Sequence, residues 1–177
     1  MGISHSTQAQ DKAVRHARAE ARIIDPMTIH QCSDLKFDNV TGSGGTVAVA
    51  SAAGNTSTYT TTANLKPGGK TGIASAATFC VSGETGFACT IAPRTNKVIV
   101  TGPTCGSCTN TLSVSLADPS SGPTLTIPSG DATYNEAGVT GGSGTICYYV
   151  GGTLAIPKAT NLEMGVYTGT WSETVAY

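Results

Sequence analysis

From Met27 onward the chain alternates apolar and polar side chains in short runs, and clusters of Gly, Pro, Ser and Asn separate the runs. Alternation with a period of two is the signature of strands that bury one face. "MTIHQCSDLKF" puts Met27, Ile29, Leu35 and Phe37 inward if a bulge or turn falls near "CSD". "GTVAVASA" and "STYTTTANL" follow, parted by "AGN". "ATFCVSGETGFACTIAP" reads as a hairpin around "SGETG". "KVIVTG" and "NTLSVSLAD" read as a second hairpin around "TCGSCT", with Leu112, Val114 and Leu116 on one face. "PTLTIPSG", "TICYYVGGTLAIP" and "GVYTGTWSETVAY" complete a count of roughly ten strands. In the last of these, Tyr167, Trp171, Val175 and Tyr177 share the inward parity. No helix of ordinary length is expected after Pro26, and the pattern predicts an all-β antiparallel sandwich.

The stretch before Pro26 differs. In "KAVRHARAEARIIDP", Ala13, Ala17, Ala19, Ala21 and Ile23 share one parity and Arg18, Glu20 and Arg22 the other. A helix competes, because Ala and Arg are strong helix formers and Asp11 is a suitable cap. Its alanine stripe would bury little area. An extended segment would gain a ladder of main-chain hydrogen bonds from any unpaired sheet edge, so a strand is favoured. Residues 1–22 are therefore read as an N-terminal extension and 23–177 as the sandwich. The segment is also readable as the domain's own first strand or as a disordered tail.

Composition changes the picture in two ways. Leu, Ile, Val and Phe total only 32 of 177 residues, which would suggest disorder if net charge were high, but ten basic and eleven acidic side chains nearly cancel. The polar surface must come largely from 28 threonines, whose branched side chain suits a pleated sheet. Nucleic-acid binding has no basic patch to rest on. No apolar run is long enough to span a bilayer as a helix.

Six cysteines in such a chain read as disulfides and hence as an exported protein. Residues 1–10 lack the apolar core of a signal peptide, so the leader is expected to have been removed already. Six cysteines allow fifteen connectivities; the sequence-local choice is Cys80 with Cys89 and Cys105 with Cys108, which leaves Cys32 with Cys147. The first carries a warning: Phe79 and Val81 inward put Cys80 outward, whereas Ile91 puts Cys89 inward. "CGSC" lacks a second ligand pair for zinc and a helix N-terminus for redox work, so no metal or cofactor is expected. The carboxylate pairs Asp131/Glu136 and Glu163/Glu173 have no nucleophile, phosphate loop or histidine beside them, and no enzyme is read here.

The run "ARIIDPMTIHQCSDLKFDNV", the segment "FCVSGETGFACTIAP", "VGGTLAIP" and the ending "GVYTGTWSETVAY" resemble a bacterial β-sandwich family related to the Mat/Ecp common-pilus subunits. The resemblance covers roughly residues 17–177 and departs from the family pattern in its six cysteines and in Glu173. It implies an immunoglobulin-like sandwich and a structural subunit of an extracellular, cell-surface filament. Such a subunit polymerises head to tail, its N-terminal donor strand (Ala9, Ala13, Ala17, Ala19, Ala21, Ile23) entering the groove of an identical neighbour. A periplasmic chaperone and an outer-membrane usher are the further partners implied. The alternative is a monomeric exported adhesin or carbohydrate-binding sandwich using Tyr148, Tyr149, Tyr167, Trp171 and Tyr177.

Glu173 falls on the apolar parity, where an unpaired carboxylate costs several kcal/mol. Either the strand bulges and turns it to water, or a cation meets it. The expected cation is Arg15, Arg18 or Arg22 of a donor segment, against an ordinary surface glutamate.

Overall fold

The computed structural model describes residues 15, 17–37, 39–41, 44–52, 57–61, 66–67, 74–92, 94–104, 106–107, 110–119, 124–127, 133–135, 138–140, 144–158 and 162–177. Among them are fifteen strands and no helix: β1 (Thr28–Ser33), β2 (Val40–Thr41), β3 (Gly45–Val49), β4 (Ser57–Thr61), β5 (Lys66–Pro67), β6 (Ala77–Ser82), β7 (Ala88–Ile91) and β8 (Lys97–Thr101), then β9 (Thr111–Leu116), β10 (Thr124–Thr126), β11 (Thr133–Asn135), β12 (Gly138–Thr140), β13 (Thr145–Val150), β14 (Gly152–Ile156) and β15 (Val175–Ala176). The excess over the expected ten comes from two- and three-residue pairs such as β2–β5 and β11–β12.

Every named pairing is antiparallel. A five-stranded sheet runs β4-β3-β14-β9-β8, and opposite it lie two three-stranded sheets, β1-β6-β13 and β10-β7-β15. One apolar core joins them. Val47 and Val114 come from the large sheet, Val81 and Tyr148 from the second, and Cys89 and Leu125 from the third, all almost completely buried. This is an all-β sandwich, and the alternation that predicted it is visible in β9, where Leu112, Val114 and Leu116 are buried between more exposed neighbours. The bulge expected near "CSD" is present: the β1–β6 register shifts between Gln31 and Ser33.

Two sequence expectations are corrected. β6 and β7 are not a hairpin, because the turn at Gly83–Phe87 carries the chain from one sheet to another and each strand pairs elsewhere. Likewise β13 and β14 are separated only by Gly151 yet lie in different sheets. A Cβ on Gly151 would run into the main chain of Val49, Ala50 and Ser51, so the crossing is open only to glycine.

The cysteine pairing is corrected as well. Cys147 sits directly opposite Cys80 in the β13–β6 register, with Cα atoms 4.0 Å apart, and the two form a disulfide. β1 and β13 flank β6 on opposite sides, so Cys32 and Cys147 are two strand spacings apart, beyond the reach of a disulfide. Cys89 faces the core and carries a free thiol, so it does not meet the outward-facing Cys80. The expected Cys105–Cys108 pair lies outside the described residues.

Candidate functional site

The leading segment and the final segment meet at one end of the sandwich. Residues 17–27 belong to no strand or helix, and Ile23 is 97% exposed. Ala17, Ala19 and Ala21 are exposed as well, while Ala9 and Ala13 lie outside the described residues. Arg22 is where the arm is fastened. Its Nη2 donates to Glu84 Oε1 at 2.5 Å, and its guanidinium lies 5.6 Å from the centre of the Phe87 ring. The Asp25 amide donates to Glu84 Oε2 at 3.2 Å. The Tyr177 hydroxyl closes the latch, donating to the Asp25 carbonyl and accepting from the Glu84 amide, each at 2.8 Å. Tyr177 is thus 47% exposed and stacks edge-on against Phe87, where its parity had predicted core.

Residues 167–177 run from the edge of the five-stranded sheet to the β10-β7-β15 sheet. Thr168 exchanges both main-chain hydrogen bonds with Thr101 at the end of β8, whereas Val175 and Ala176 pair with β7. The segment therefore leaves one sheet and reaches the other. In an antiparallel ladder the bonding direction alternates, so the amides and carbonyls of Ile99 and Lys97 point the same way as those of Thr101. Among the described residues no backbone hydrogen bond meets them on that side, although Gly169 packs against the Ile99 carbonyl, and Ile99 is 52% exposed. Where the final segment diverges from β8, a cleft of about 400 Å³ opens, its walls including Ala92, Arg94, Lys97, Val98, Trp171 and Thr174.

Glu173 lies between the cleft-lining Ser172 and Thr174 with its side chain buried, one of the outcomes its apolar parity left open. Its cation is Arg94 of the same chain, with Nε 3.2 Å from Oε1 and side chains only 7% and 1% exposed. Trp171 Nε1 donates to Oε1 at 3.0 Å, and Arg94 also donates to the Ala117 carbonyl. The carboxylate is thus met within its own chain, where a cation from a neighbour's donor arm, Arg15, Arg18 or Arg22, was expected; in the same chain Arg18 is on the surface beside Glu20, Arg22 serves Glu84, and Arg15 is exposed. Arg94 lies 79 residues from Glu173, and no local pattern marks it as the partner. Tyr148 has its hydroxyl buried beside Glu173. Burial and then the carboxylate's charge push that hydroxyl well above the ordinary tyrosine range.

The aromatic residues do not form one exposed face. Tyr148 is in the core, Tyr149 packs over Ala74 and Ala76, and Tyr167 and Trp171 lie against the core with only part of each ring open. No group of His, Cys, Asp and Glu among the described residues could hold a metal ion, and no helix among them is long and apolar enough to cross a membrane.

An all-β antiparallel sandwich with an exposed leading arm is the class of protein these features define. The chain belongs to the family described as a domain of unknown function, DUF4402, whose profile matches residues 27–177. The match begins just after Pro26 and so leaves out the exposed arm. No curated protein matches the chain, and neither does any solved structure.

Proposed function

We propose that this protein is a structural subunit of an extracellular filament, in which the arm of one copy adds as a strand to the β8 edge of the next. The reading rests above all on the outward-facing amides and carbonyls of Lys97 and Ile99, which make no backbone hydrogen bond on that side among the described residues, although Gly169 of the same chain packs against the Ile99 carbonyl. An exposed, unpaired edge is an aggregation hazard that proteins ordinarily cover, and an extended segment covers it with main-chain hydrogen bonds. The same chain carries a suitable occupant in the exposed alternating segment that includes Ala17–Ile23. Because donor and acceptor are different surfaces, the contact repeats as an open fibre. An immunoglobulin-like topology, export to the cell surface and a chaperone and usher as assembly partners belong to the same proposal, and rest on the sequence resemblance to pilus subunits alone.

Deleting residues 1–18 tests it. The full chain should form filaments in electron micrographs and large species on gel filtration, and the truncated chain should be monomeric. A synthetic peptide of residues 7–21 should bind the truncated chain and protect the Ile99 amide from hydrogen exchange. Filaments that survive the deletion, or a peptide that protects nothing, would overturn the proposal.

A further inference from the structure

Three cysteines share the outer face of the β1-β6-β13 sheet, and only two of them are bonded. Cys80, on the central strand, is joined to Cys147 on β13. Cys32, on the other flanking strand, is a partly exposed free thiol whose Sγ lies 2.9 Å from the Sγ of Cys80. The bulge explains this approach. Gln31 is registered against Phe79 and Ser33 against Thr78, so Cys32 is the extra residue with no partner across the ladder. A bulged residue re-aims its side chain, here toward Cys80.

We infer that Cys80 exchanges its disulfide partner between Cys147 and Cys32. Thiol–disulfide exchange needs a thiolate in contact with one sulfur of an existing bond. The Cys32 thiolate attacks Cys80 Sγ, forming the Cys32–Cys80 bond. The Cys80–Cys147 bond breaks, its electron pair leaves with Cys147, and Cys147 takes up the proton that Cys32 gave up. Nothing is oxidised or reduced overall, so no co-reactant is required.

The two isomers span 67 and 48 residues, and closure entropy depends only logarithmically on that length. Chain entropy therefore favours neither strongly. What changes is which flanking strand is stapled to β6. In one isomer it is β13. In the other it is β1, the strand into which the exposed arm runs, so exchange moves a covalent tie to the root of the arm. The chemistry stands on the sheet geometry and does not depend on filament formation.

The experiment uses the full chain, oxidised and never exposed to denaturant before trapping. After equilibration at pH 8 it is acid-quenched, alkylated, and mapped by mass spectrometry without reduction. Wild type should give two cross-linked species, Cys32–Cys80 with alkylated Cys147 and Cys80–Cys147 with alkylated Cys32. Because the thiolate is the attacking form, their interconversion should slow as the pH is lowered. Cys147→Ser folded under oxidising conditions should yield the Cys32–Cys80 bond, and Cys32→Ser should leave only Cys80–Cys147. A single fixed bond in wild type, or free Cys32 and Cys80 thiols in the folded Cys147→Ser variant, would overturn the inference. Circular dichroism of each variant establishes that it is folded.

Discussion

Arg94, which lines the cleft, forms a buried ion pair with Glu173, with Nε and Oε1 3.2 Å apart and almost no side-chain surface reaching solvent. Trp171 and the Ala117 carbonyl satisfy further capacity of the two groups. The pair joins the final segment, beyond its last contact with β8, to the loop that follows β7.

Breaking that pair on one side leaves an uncompensated charge in the interior. Glu173→Ala should lower the unfolding free energy by about 3–5 kcal/mol, read from urea denaturation. Replacing both groups together, Arg94→Met with Glu173→Leu, should restore most of it, since the desolvation cost of two ions disappears with them.

Alkali should weaken the fold through Tyr148 and Cys89. Burial raises both groups above their ordinary values of 10.0 and 9.0, and the charge of Glu173 adds to the rise at Tyr148. In the unfolded chain they lose protons near their ordinary values, while in the folded chain they hold them. Above that range the unfolded state binds fewer protons, so stability falls as pH rises and is unaffected by these groups below it. The denaturation midpoint should decline from about pH 9 upward, and Tyr148→Phe should make the decline shallower.

The Cys80–Cys147 bond closes a separation of 67 residues. Reduction should lower the unfolding free energy by about 4 kcal/mol in the chain-entropy account, measured as the shift in denaturation midpoint with and without reductant. Cys89, buried in the core, should stay unreactive toward thiol reagents until the protein unfolds.

Gly151→Ala puts a methyl group against the main chain of Val49–Ser51, which cannot swing aside as a side chain would. The expected loss is at least about 1–3 kcal/mol, the usual cost of overpacking, with a lower thermal midpoint as the readout.

Tyr177→Phe removes the hydroxyl that joins Asp25 to Glu84. About 1 kcal/mol of local hydrogen bonding is lost. Tryptic cleavage after Arg22 should then accelerate roughly fivefold while global stability changes little.

Face could be read along the chain, but neighbourhood could not. The parity of Phe79, Val81 and Ile91 already put Cys80 and Cys89 on opposite faces, and the parity of Glu173 raised a buried, partnered carboxylate as one alternative. Both followed from alternation, which is a local property. The identity of that partner depended on Arg94 and Ala117 arriving from distant strands. The disulfide depended on β6 lying between β1 and β13, which no spacing of cysteines encodes. Val150-Gly151-Gly152 is the sharpest case: unbroken apolar character hides a passage between sheets, and only the lack of room for a Cβ gives it away. The latch escaped detection because Tyr177 has the parity of a core residue but stands where the sandwich ends, beside an arm the alternation did not place.

Tyr177 also sets a mechanical path. A pull on the arm reaches Asp25 and Arg22 first, and from there passes to Tyr177 and Glu84. Tyr177 follows directly on the β15–β7 ladder, and Glu84 lies in the turn that connects β6 to β7. Tension entering at one strand is thus shared among several before any single ladder can be peeled open.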